Sequence, residues 1–108
     1  MRVWFLGVAV VAVFGANAAS AADLEAAKKK VSEVCQACHG MDGNSQVPDY
    51  PKLAGQNQDY LAKALRDYKS GARKDPTMSG FAGTLTPQDI DNLAAYFSAQ
   101  PAVLQSRM

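Results

Sequence analysis

Apolar residues recur at three- and four-residue steps in three separate stretches of this 108-residue chain, the spacing of one face of a helix. The first stretch is Leu24, Ala27, Val31, Val34, Cys35 and Cys38. It opens after Asp23, a good N-cap, and ends at His39 and Gly40. Lys28, Lys29 and Lys30 fall on its other faces as a solvated surface. The second helix starts from Asn57, carries Tyr60, Leu61, Ala64, Leu65 and Tyr68 as its apolar stripe, and meets Gly71 as a terminator. Its outer face is Asp59, Lys63, Arg66, Asp67 and Lys69. The third has the clearest start, with Thr86 as N-cap, Pro87 at the first helical position and Asp89 completing a capping box. Ile90, Leu93, Ala94 and Phe97 form its buried face with Tyr96 beside them, and Pro101 stops it at or before Gln100.

Residues 41–55 contain Gly43, Asn44, Pro48, Pro51 and Gly55, and residues 72–85 contain Pro76, Gly80 and Gly83 without any period. Both read as long loops, which in a compact domain usually wrap or bind something. No alternating strand pattern, repeat or low-complexity tract follows residue 22, so the predicted class is all-α, three main helices joined by two long loops.

Residues 1–22 read differently. Met1 and Arg2 make a short basic start, residues 3–14 are almost unbroken apolar, and residues 16–22 are mostly small. That is the build of a secretory signal peptide, cut after Ala21 or Ala22. A membrane span would need about 20 apolar residues, and this run, interrupted by Gly7, gives out sooner. The predicted organisation is therefore a signal peptide over residues 1–22 and one domain over residues 23–108, with no integral membrane span after cleavage.

The chain has 11 basic and 10 acidic side chains, and Arg2 leaves with the leader, so the mature polypeptide is near neutral. Nothing in that balance suggests nucleic acid or a polybasic membrane contact. A domain this small buries too little apolar surface to be stable without help, and exported ones add disulfides, a metal or a prosthetic group. Cys35 and Cys38 are the obvious material.

Cys35-Gln36-Ala37-Cys38-His39 has the Cys-x-x-Cys-His spacing of c-type haem attachment. Cysteines three apart project from one side of a helical turn, so both thiols can reach two vinyl groups of one flat ring. His39 then comes under the iron as proximal ligand. Three rivals share these residues. A thioredoxin-like pair belongs at a strand-to-helix junction, and no parallel strands are visible. A structural zinc site needs about four Cys or His ligands, whereas His39 is the only histidine beside two cysteines. A plain disulfide across two residues closes too small a loop to stabilise much.

With no second histidine, a methionine thioether is the natural ligand on the opposite face of the iron, and it raises the reduction potential. Met1 leaves with the leader, Met41 is too near His39 to pass round the ring at about 3.6 Å per residue, and Met108 lies at the chain's end. Met78, in the second loop between Pro76 and Gly80, is the predicted ligand, its plainer alternative being a buried gap-filling side chain.

With these parts in this order, the chain resembles the class I cytochrome c family over the whole of residues 23–108, most of all the single-haem bacterial periplasmic members. Cys-x-x-Cys-His followed by Gly40-Met41-Asp42-Gly43-Asn44 is typical of them, as are Pro51-x-Leu53-x-Gly55, a methionine in a late loop and a last helix such as residues 89–97. The resemblance implies the cytochrome c fold around one covalent haem c and its iron. It implies that the Pro51 carbonyl accepts the second ring N–H of His39, that Leu53 packs on the haem, and that Tyr96 stands near the contact of the last helix with the first. Ala27 and Val31 depart from the family, occupying places where many relatives have glycine and an aromatic residue.

The implied function is a periplasmic one-electron carrier rather than an enzyme, with redox proteins as partners. Two alternatives stay open: an electron-transfer subunit docked to a larger oxidoreductase, and a ligand-binding sensor or enzyme whose sixth iron position is labile.

Overall fold

The computed structural model describes residues 21–103, with Gly7 and Ala9 ahead of them. Nearly all of the predicted signal peptide, and Met1 and Met108, lie outside the described residues. Every regular element among the described residues is helical: α1 (Leu24–Lys30), a π turn (Val31–Cys35), α2 (Gln36–His39), α3 (Gln58–Ser70), α4 (Pro76–Ala82) and α5 (Pro87–Ser98). None of these helices is long and apolar enough to cross a membrane.

The first predicted helix is α1, the π turn and α2 running on without a break, since Lys30, Val31, Cys35 and Gln36 all keep right-handed helical angles. Asp23 caps it, its carboxylate accepting from Ala26 N at 3.0 Å. The Asp23 N–H donates to Asn92 Oδ1 at 2.9 Å, which pins the helix start to α5. In the π turn the Gln36 N–H reaches back five residues to Val31 O. The extra residue in that turn rotates the faces on either side of it relative to one another. Ala27 and Val31 are consequently buried in the core, whereas Val34, Cys35 and Cys38 are half-buried and line a cavity. Leu24, expected on the buried face, is 48 % exposed at the first turn.

The predicted ends of the other helices are present. Asn57 Oδ1 accepts from Tyr60 N at 3.1 Å, and Gly71 closes α3 in the left-handed region at φ 86°. At α5, Thr86 Oγ1 accepts from Asp89 N at 3.0 Å while Asp89 Oδ2 accepts from Thr86 N at 2.9 Å, the reciprocal capping box. Residues 72–85 differ from the loop expected of them, because α4 occupies their middle. Asp75 caps it, accepting from Thr77 N at 3.0 Å and Met78 N at 2.9 Å, and Pro76 fills its first position. Two local bonds and a pre-set φ outweigh the cost of about 1 kcal/mol for Gly80 inside so short a helix.

α1 crosses α5, and α3 packs against both α5 and α4. The cluster they enclose contains Ala27, Val31, Leu61, Leu85, Ile90, Leu93 and Phe97. At the crossing, Ala27 and Val31 are 1 % and 0 % exposed, so two modest side chains fill the contact between α1 and α5. Tyr96 packs against this cluster, its hydroxyl donating to Met41 O at 2.7 Å. Met41 packs there too, away from the cavity wall. Much of the buried hydrophobic set is alanine, namely Ala27, Ala54, Ala62, Ala82 and Ala94, and each removes little area from water. On α3, Leu61 is buried in this cluster, whereas Leu65 and Tyr68 stay half-buried where they face a cavity.

Candidate prosthetic-group site

A cavity of about 300 Å³ opens between α2, the loop before α3, α3 itself, α4 and α5. Cys35, Cys38, His39, Pro51, Leu53 and Met78, the residues predicted to form a site, all line it. Leu61, Ala64, Leu65, Phe81, Leu85 and Phe97 make most of the remaining wall apolar. A second, more open depression between α3 and the start of α5 is lined by Arg66, Lys69, Ser70, Pro87, Ile90 and Asp91, and offers no thiol, imidazole or thioether.

His39 closes α2 and is 7 % exposed. Its Nδ1 stands 2.8 Å from Pro51 O. A carbonyl only accepts, so Nδ1 carries a proton toward Pro51, and Nε2 is the ring nitrogen left to face a metal. Tyr50 stands edge-on to the imidazole, the ring centroids 6.4 Å apart. The loop that presents Pro51 is folded by Gly43, whose carbonyl accepts from Leu53 N at 2.8 Å and Ala54 N at 3.2 Å. Gly43 has φ 76°, and a Cβ there would lie 2.8 Å from Ala54 N and from the Phe97 ring, so only glycine fits.

Cys35 and Cys38 are free and half-buried. Burial pushes the Cys35 thiol up to about 11, with Lys30 pulling weakly the other way. A dithiol redox pair depends on a depressed thiol pKa. Cys35 is displaced in the opposite direction, which speaks against such a pair.

Met78 takes the third position of α4 and is half-buried, its backbone fixed by the Asp75 carboxylate. The donors that converge on the cavity wall are thus one imidazole, one thioether and two thiols, while of the two carboxylates on the wall, Asp49 and Asp75, the second is engaged as the cap of α4. Among the described residues no three His, Cys, Asp or Glu side chains come together as a protein-only metal site. An iron carried in an organic ring fits these donors: two sulfurs for the ring, a nitrogen and a soft sulfur for the metal, and apolar walls for the ring faces.

Arg73 is a wall residue that the sequence pattern did not single out. Its guanidinium lies 4.7 Å from the Tyr68 ring centroid and donates to Tyr60 Oη at 3.4 Å. These contacts, the Tyr60 hydroxyl first, push its pKa up. The group holds a positive charge at the cavity, the complement of the carboxylates that haem bears on one edge. Its only signal in the sequence was a cation just past a helix terminator, which is ordinarily surface.

A family profile described as Cytochrome c matches residues 24–100. Cytochrome c4 of Stutzerimonas stutzeri is 48 % identical over 90 residues, covering 75 % of this chain and 42 % of that protein. The thiosulfate dehydrogenase electron acceptor of Stutzerimonas stutzeri (strain A1501) is 39 % identical over 69 residues, covering 63 % of this chain and 32 % of its own length. Among solved structures, reduced recombinant cytochrome c4 from Pseudomonas stutzeri superposes with a TM-score of 0.71 at 45 % identity, over 78 % of this chain and 48 % of that one. The chain spans less than half the length of these three proteins.

Proposed function

The chain belongs to the cytochrome c family, and from that membership we propose that it is an exported one-electron carrier holding one covalent haem c. Cys35 and Cys38 bind the ring, and His39 and Met78 ligate the iron. The observation that carries this reading is the convergence of those four side chains on one apolar cavity. Bound there, haem supplies an iron that gains and loses a single electron.

The protein's own residues then determine how that electron is held. Pro51 fixes the His39 tautomer and orientation and strengthens the imidazole as a donor. Met78 would bring to the iron a thioether that favours its reduced state, and as a ligand it would leave no place there for a substrate. Leu53, Leu65, Phe81 and Phe97 give the site apolar walls, and Arg73 is a cation available to the haem carboxylates. Carriage rather than catalysis is also what the relatives named as cytochromes c4 and as an electron acceptor support.

Residues 1–22 serve as a cleaved signal peptide in this reading, and the domain works in the periplasm among redox proteins. A second reading, a subunit docked to a larger oxidoreductase, draws support from the relative named as a thiosulfate dehydrogenase electron acceptor. Purification from native membranes separates them: the free carrier appears alone, and the docked subunit brings a stoichiometric partner.

The ligation is tested optically. Ferric wild-type protein is expected to show the weak near-infrared methionine-to-iron charge-transfer band, and Met78→Ala to lose it and to bind carbon monoxide when reduced. A wild type that lacks the band and binds carbon monoxide readily overturns the carrier reading.

A further inference from the structure

Asn44 does not line the cavity, yet it is 7 % exposed and its carboxamide is engaged on both sides. Nδ2 donates to Asp42 Oδ2 at 3.0 Å and to Pro101 O at 2.9 Å, and Oδ1 accepts from Val103 N at 2.8 Å. The Asn44 backbone N–H adds a bond to Asp42 Oδ1 at 3.0 Å, and these bonds hold the Asp42 carboxyl below its usual range. A second tie lies on the same segment, where Lys52 Nζ donates to Val103 O at 2.9 Å. Gly55 N is bonded to Phe97 O at 3.0 Å, just before the segment begins. Pro101–Val103 is therefore strapped across the loop of residues 42–55, and Lys52, one of its anchors, directly follows Pro51.

We propose that Asn44 is a positioning residue for the iron ligand: by clasping Pro101–Val103 it holds the Pro51 carbonyl against His39 Nδ1 and thereby lowers the reduction potential. The proposal rests on the haem reading above. A firm bond at Nδ1–H makes Nε2 a stronger donor, which stabilises the oxidised iron. Release of the strap frees the backbone around Lys52, the Pro51 bond lengthens or opens, and the reduced iron gains.

The test uses the holoprotein, as wild type, as Asn44→Ala, as a chain ended after Gln100, and as Thr86→Ala. The last weakens the fold at α5, away from the clasp. Two quantities are read at neutral pH: the midpoint potential, and the solvent exchange of the His39 ring N–H in the reduced protein by NMR. Asn44→Ala and the shortened chain are expected to raise the potential and to speed exchange about tenfold, the effect of one or two lost hydrogen bonds on a local opening. Thr86→Ala leaves both quantities at their wild-type values. If Asn44→Ala does not fold, the shortened chain, which keeps Asn44 and its Asp42 bonds, decides. Unmoved potential and exchange in a haem-loaded shortened chain, or an equal shift in Thr86→Ala, overturn the clasp alone. A wild type without covalent haem overturns the clasp and the haem reading together.

Discussion

Gly43 shows how one position constrains the ligand loop. Its positive φ and the 2.8 Å approach a Cβ would make to Ala54 N and the Phe97 ring leave an alanine no relaxed conformation. Gly43→Ala is expected to destabilise the holoprotein by about 2–4 kcal/mol, combining backbone strain with overpacking, as read by denaturant unfolding. Asp42, beside it, carries the acid-sensitive part of the loop. Its carboxyl is held low by the Asn44 N–H groups, so its contribution is present above the ordinary carboxylate pKa of about 3.9 and is lost as pH falls through its lower folded value. Asp42→Asn should therefore lose less stability than wild type between about pH 4 and pH 2 in acid titrations followed by circular dichroism. At this scale the spacing of the cysteines and histidine was legible, because attachment to one ring demands it. Arg73 was not, since its partners lie on other turns and leave no local pattern, and Asn44, though part of the Gly40–Asn44 pattern, gave no sign of its bonds to Pro101 and Val103 far along the chain.

The helices differ in how plainly they were written. α5 carries a period, a reciprocal cap and a proline at its first position, and all three agree. α4 carries the same cap-then-proline start in Asp75 and Pro76, but seven residues are too few to display a period, and Gly80 and Gly83 read as breakers. The π turn was likewise invisible, because one extra residue in a turn leaves every neighbouring residue helical in character. α4 matters to the site because it presents Met78. Asp75→Ala removes both cap bonds, at a cost of about 1 kcal/mol. If that cost is felt at Met78, exogenous imidazole should bind the ferric protein about fivefold more tightly, and an equilibrium titration of the visible spectrum checks it. Wild-type affinity in Asp75→Ala would mean that Met78 is held independently of the cap.

Over the whole molecule, the core among the described residues is rich in alanine, and the widest apolar stripe, on α3, faces a cavity. Short helices around such a space lack the buried area to offset their conformational entropy, and a large apolar ring supplies the missing surface. The chain without haem is expected to be largely unfolded; native helix content in the far-ultraviolet circular dichroism of the apoprotein would contradict that. The all-helical class followed from period alone, whereas the cavity did not, because an apolar stripe looks the same whether it faces another helix or a cofactor. What told them apart was the five-residue motif from Cys35 to His39.

The central claim is one covalent haem on Cys35 and Cys38, and intact-mass spectrometry of the exported protein under denaturing conditions tests it most directly. The predicted result is a polypeptide beginning at Ala22 or Asp23 that keeps the added mass of a single haem. A bare polypeptide mass, or one lighter by two hydrogens from a Cys35–Cys38 disulfide, would contradict it.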